Sequence, residues 1–151
     1  MHGVLLALYS RERTGEGRHV DVSMLDGQVS LLTYLSTMWW MAGQAPPRLG
    51  NAHPNISPYA TFEAKDGHFN LAIANDAHWR RFCEALGPDG EELATDEGLA
   101  TNAGRVDRRD DLKARLTPLL IRRTVAEWLA LLGEAGLVCD PINDVPTALA
   151  H

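Results

Sequence analysis

The hydrophobic pattern changes period along the chain, and each change marks an element. Residues 3–9 are apolar with no capping residue ahead of them, which predicts a helix already under way and polypeptide preceding it. Gly3 and Ala7 share one face of that helix and permit close packing. Residues 11–17 are polar, contain two glycines and predict a turn. In residues 18–24, Val20, Val22 and Met24 alternate with His19, Asp21 and Ser23, a period of two that predicts a strand. From Leu25 the period lengthens. Val29, Leu32, Leu35 and Trp39 fall on one helical face, with Leu31 beside them.

Residues 42–58 are rich in Pro, Gly and Asn and hold no period, so they read as a long linker and a domain boundary. Beyond it, residues 59–64 and 68–74 predict two strands around the turn Lys65-Asp66-Gly67. Residues 76–86 predict a helix capped by Asn75 or Asp76 and stopped by Gly87. Residues 105–120 carry the stripe Leu112, Leu116, Leu119 and Leu120. Residues 124–135 open on the capping box Thr124/Glu127 and end at Gly136. Residues 138–143 predict a last strand. The expected organisation is a helix-strand-helix region over 1–41, the linker, a small α+β domain over 59–138, and a return segment over 139–151.

Composition narrows the classes. The net charge of −6 argues against a nucleic-acid surface, which needs clustered Lys and Arg. Arg105 and Arg109 alternate with Asp107 and Asp110 and predict a solvated helix face. Cys83 and Cys139 are far apart and form no C-x-x-C pair, a usage that suits a reducing cytoplasm. No metal-ligand spacing is present, and no apolar run reaches the roughly 18 residues of a membrane span. Trp79 and Trp128 lie on apolar helical faces and are expected in the core. Trp39 and Trp40 are expected to pack at a helix end against a neighbouring chain.

Among the acids, Asp26 stands where the strand pattern gives way to a helix. The helix dipole favours negative charge there, and on position alone Asp26 is a helix-start acid. Asp21 lies on the polar side of the predicted strand, where ion pairing to Arg11, Arg13 or Arg18 is its expected role.

The stretch from Arg11 to Asp26 reads RERTGEGRHVDVSMLD. It resembles the R-x-R-T-G-x-G-x-x-V-D-V-S-M-x-D motif of the family III CoA-transferases, the CaiB/BaiF group that includes formyl-CoA transferase and carnitine CoA-transferase. The likeness continues in order through Arg48-Leu49-Gly50-Asn51-Ala52-His53-Pro54, Pro58-Tyr59, Asp66-Gly67, Asn75-Asp76 and Trp79. It goes on through Thr101-Asn102 with Arg105, Glu127-Trp128 and Pro141-Ile142-Asn143. The ordered set is specific where each piece alone is not.

The resemblance implies an α/β fold in which residues 1–41 end a Rossmann-like large domain and a linker leads to a small α+β domain. It implies that the CoA-binding half lies upstream, so that this chain is a C-terminal fragment inactive alone. It implies interlocked homodimers, acyl-CoA and a carboxylic acid as substrates, and no permanently bound cofactor. The family's nucleophilic aspartate falls on Asp26. Asn51, His53 and Asn75 are substrate-side candidates, because the connector and the segment 72–76 match parts near the family's active site. The glycine run of formyl-CoA transferase-like members is absent from 72–76, which puts formyl or oxalate specificity in doubt. Asn75 stands where racemases of this fold place a glutamate, and an amide cannot act as general base. Asp140 stands where many members have glycine. An acyl-CoA racemase and a non-catalytic, partner-binding chain are the alternatives.

Overall fold

The computed structural model describes residues 2–150, and the chain divides into two compact units, Met1–Arg48 and Leu49–His151. The first unit contains α1 (His2–Thr14), α2 (Met24–Ser30) and α3 (Tyr34–Ala42). Helix α1 runs through most of the predicted polar turn. Arg11 and Arg13 occupy its last turn, where cations favour the dipole, and Gly15 ends it at φ 75°. A Cβ on Gly3 would lie 2.9 Å from Val20 Cγ1, so the absence of a side chain at Gly3 is what admits Val20.

The predicted strand over 18–24 is not formed. Residues 18–23 carry no strand assignment, and Met24 already belongs to α2. The alternation of valines sets two faces, but a strand also needs a ladder, and no described segment pairs with this one. The single helix expected from Leu25 is two helices. Leu31 and Leu32 donate to Gln28 O and Val29 O at 3.1 Å, a tightened last turn, and Thr33 follows at φ 43°. That conformation is costly for a β-branched residue and interrupts the helical path. None of the described residues of this unit is buried. Met24, Trp40 and Met41 are 87 %, 76 % and 84 % exposed.

The second unit holds an antiparallel sheet in the order β1 (Tyr59–Glu63), β2 (His68–Ala72) and β3 (Val138–Pro141). Around it lie α4 (Asp76–Leu86), α5 (Pro88–Thr95), a 3-10 turn (Glu97–Leu99), α6 (Asn102–Asp107), α7 (Arg109–Leu120), α8 (Val125–Glu134) and α9 (Val145–Leu149). The hairpin turn is docked from outside: Val125 N–H donates to Asp66 Oδ1 at 2.7 Å, and Lys65 N–H to Arg123 O at 2.9 Å. Helix α4 has the predicted cap, with His78 N–H donating to Asn75 Oδ1 at 2.8 Å. Helix α8 has the predicted capping box. The helix expected over 105–120 breaks at Arg108, whose side chain is drawn to Asp96 and Asp111. Helix α5 was not expected, although Pro88 in its first turn and Asp89 and Glu91 behind it are helix-start signals. Segment 139–151 supplies most of β3 and the short α9.

Strand alternation sorts the sheet. Ala60, Phe62, Phe69, Leu71 and Cys139 face the core with Trp79, Phe82, Leu112, Leu116, Leu120, Trp128 and Leu132. Trp128 stacks near-parallel on Phe69 at 6.3 Å and donates its indole N–H to Leu120 O at 2.7 Å. Both tryptophans expected in the core are there, each 2 % exposed.

Asp96 ties α5, α7 and the 3-10 turn together. Arg108 and Arg115 donate to its two oxygens at 2.8 and 2.7 Å, and these bonds lower its pKa to about 2. An ordinary aspartate titrates near ~3.9. The stability this cluster contributes is therefore present above the unfolded value and is lost as pH falls through the folded value. The melting temperature of the parent is expected to drop between about pH 4 and pH 2 more steeply than that of Asp96→Asn. Parallel pH profiles would contradict the assignment. Glu127 and Asp144, also held low by hydrogen bonds, leave some slope in both.

Candidate functional site

Asp26 occupies the third position of α2. Ser23 is the N-cap, at φ −61° and ψ 124°, and its Oγ accepts from the Asp26 backbone N–H at 3.1 Å. The cap therefore uses the main chain of Asp26 and leaves its carboxylate unused. Among the described residues that exposed carboxylate takes no hydrogen bond and no ion pair. Asp21 is also exposed, and it forms no ion pair with Arg11, Arg13 or Arg18; the described salt bridges all lie in the second unit. The expected ion-pair role is thus corrected. Residues 18–23 form no ladder that would hold those side chains in register.

The other candidates lie in the second unit. Asn51 donates its side-chain amide to Thr61 Oγ1, which in turn donates to Asn70 Oδ1 at 2.6 Å. Thr61 and Asn70 are cross-strand partners, and Asn70 faces Asp140 in β3. His53 stacks on Tyr59 at 5.2 Å and 16°. Its Nδ1 accepts from Asn55 N–H at 3.1 Å. Tyr59, Thr61, Asn70 and Asp140 share the outer face of the sheet, and Asn51 and His53 are thereby gathered on it. Asn75 stands apart from that ladder, at the start of α4, with its carbonyl oxygen committed to the cap. Asp140 is accommodated as a strand residue paired with Asn70; its φ is not positive, so the backbone there does not require a glycine.

Residues 43–58 contain no helix or strand, but the unit boundary falls after Arg48, and residues 54–57 are anchored by side chains. Arg109 Nη2 donates to Pro54 O at 2.7 Å, and Asn102 Nδ2 to Asn55 O at 2.8 Å. Ser57 N–H donates to Asn102 Oδ1 at 3.2 Å. Arg105 is the most fully committed of the group. Its Nε donates to Ser57 O at 2.9 Å, Nη1 to Leu99 O at 2.8 Å, and Nη2 to Asp76 Oδ1 at 2.9 Å, with Trp79 under the guanidinium at 5.1 Å. Arg105 is wholly buried, which corrects the reading of its stretch as a solvated face. Burial of the charge is tolerable because three donors find acceptors and the carboxylate of Asp76 balances it. The alternating charges around Arg105 concealed this; its place in the ordered motif set was the one signal available.

Among the described residues no group of three His, Cys, Asp or Glu side chains is placed to hold a metal ion. No described helix is long and apolar enough to cross a membrane. Burial raises the Cys83 thiol to about 11, which makes it an inert core residue rather than a nucleophile.

Comparison with known proteins gives one answer. The model of CoA-transferase family III matches residues 1–151. The chain is 40 % identical to an acetyl-CoA:oxalate CoA-transferase of Acetobacter aceti, over 97 % of this chain and 37 % of the relative. It is 35 % identical to a succinate–glutarate CoA-transferase of Agrobacterium fabrum, over 95 % of this chain and 36 % of the relative. A crystal structure of a CAIB/BAIF family protein from Brucella suis superposes with a TM-score of 0.81 at 37 % identity, covering 98 % of this chain and 39 % of that one. The chain thus spans little more than a third of the length of these relatives. With the whole chain matched in sequence and in fold, it belongs to CoA-transferase family III.

Proposed function

We propose that this chain carries the nucleophile of a CoA-transferase that moves CoA between an acyl-CoA and a free carboxylic acid, and that the nucleophile is Asp26. The observation that carries the reading is the uncommitted, exposed carboxylate at a capped helix start, in a chain matched throughout by the family model. An aspartate tied into an ion pair would be a poorer nucleophile. The Asp26 carboxylate attacks the thioester carbonyl of the donor and releases CoA thiolate, forming a mixed anhydride. The thiolate attacks the aspartyl carbonyl, giving an aspartyl-CoA thioester and the donor's free acid. The acceptor carboxylate displaces CoA from this thioester and forms a second anhydride. CoA thiolate then attacks the acceptor's acyl carbon, and Asp26 returns as a carboxylate.

The names of the two curated relatives include oxalate, succinate and glutarate, all dicarboxylic acids. A short dicarboxylic acid is therefore our proposed acceptor class, with Asn51, His53 and Asn75 on its side. CoA enters as a substrate rather than a resident cofactor, and its nucleotide and pantetheine contacts are assigned to polypeptide of the kind the relatives carry beyond the matched third. The working assembly is proposed to be a homodimer in the cytoplasm. The chain alone is expected to show no measurable exchange.

Steady-state exchange in the completed assembly tests the reading. Parallel lines in double-reciprocal plots of donor against acceptor are expected, since CoA is parked on the enzyme between two half-reactions. Deuterium appearing at the α-carbon of the acyl group without CoA exchange would instead mark a racemase.

A further inference from the structure

The connector residues 54–57 belong to no helix or strand, yet their backbone is held by side chains from α6 and α7. The carbonyls of Pro54, Asn55 and Ser57 and the N–H of Ser57 are bonded by Arg109, Asn102 and Arg105. These bonds span more than 40 residues of sequence, so the segment takes its place only when the rest of the unit has folded. On one side of it His53 stacks on Tyr59. On the other, the same Arg105 that holds Ser57 O grips Asp76 at the start of α4, next to Asn75. One buried guanidinium thus links the two regions that carry the substrate-side candidates.

We propose that Asn102, Arg105 and Arg109 form a positioning clamp that fixes the connector around His53 and the start of α4 around Asn75 in one frame, so that the acceptor acid meets preplaced groups. The role of the frame rests on the transferase reading above; the clamp itself does not. Preplacement matters because ordering a loop upon binding would subtract its conformational entropy from acceptor affinity. Asn102 and Arg109 are only partly buried, and they bond the connector rather than the core, so they can be altered with less risk to folding than Arg105.

Hydrogen–deuterium exchange of the 151-residue chain, followed by mass spectrometry, tests the clamp directly. In Asn102→Ala and Arg109→Ala, amides of residues 55–57 are expected to exchange about tenfold faster or more, while peptides from β2 and α8 stay protected. Asn102→Asp keeps an acceptor for Ser57 N–H and is expected to restore protection at that amide. Unchanged exchange at 55–57 in both alanine variants would overturn the clamp, as would parallel loss of protection in β2 and α8. In the active assembly, the same alanine variants are expected to raise KM for the acceptor acid about fivefold or more, with KM for acyl-CoA within about twofold. An equal rise in both would overturn the positioning role. A parent assembly without any exchange would count against the transferase reading instead, and the amide pattern would still decide the clamp.

Discussion

Asp26→Asn is expected to lower acyl exchange by at least about a hundredfold while leaving the fold and CoA binding intact. The fold is spared because the cap of α2 uses the backbone N–H at this position, which asparagine retains. Chemistry is lost because a neutral amide cannot open a thioester and be regenerated. Asparagine before Gly27 is prone to deamidation back to aspartate, so Asp26→Ala belongs beside it as a second variant. Ser23→Ala is the control for geometry. It removes the cap at a cost of about 1 kcal/mol, leaves the carboxylate in place, and should weaken exchange far less. Turnover of a freshly prepared Asn variant above about a hundredth of the parent rate would contradict covalent catalysis by Asp26.

The second large effect concerns the chain by itself. Val4, Leu5, Leu6, Met24, Leu25, Trp40 and Met41 are all exposed, and the first unit buries none of its described residues. Exposed apolar side chains in this number drive association in water. The isolated chain is expected to run well above its monomer mass of 16.6 kDa in light scattering, and to bind CoA only weakly. Gly15 and Gly17 do not supply a phosphate cradle, because no helix starts after them until Met24. Leu6→Lys combined with Trp40→Lys should shift the population towards monomer. A clean monomer that binds CoA tightly would contradict both expectations.

Much of the second unit was legible because its signals are local. Asn75, Gly87, Thr124, Glu127 and Gly136 punctuate helices by their own side chains or lack of them, and the structure uses them as predicted. The alternation at 18–24 was a correct face pattern and a wrong element, since pairing is not encoded in one strand alone. Asp26 was singled out in the sequence by the motif around it, and its role as nucleophile is our proposal. The gathering of Asn51 and His53 on the outer face of the sheet was not, because it depends on Thr61 and Tyr59, whose orientation follows from strand register. Arg105 was hardest. Its acceptors at Ser57, Asp76 and Leu99 are scattered through the sequence, and an arginine among alternating charges gives no local sign of burial.

The central claim is that CoA exchange passes through a covalent bond to Asp26, and trapping tests it most directly. The active assembly would be incubated with an acyl-CoA and hydroxylamine, digested, and the peptides sequenced by mass spectrometry. An anhydride or thioester at Asp26 predicts a hydroxamate on that residue, appearing only when acyl-CoA is present and absent from Asp26→Ala. Continued exchange with Asp26 unmodified, or a hydroxamate on another carboxylate such as Asp21, would contradict the account.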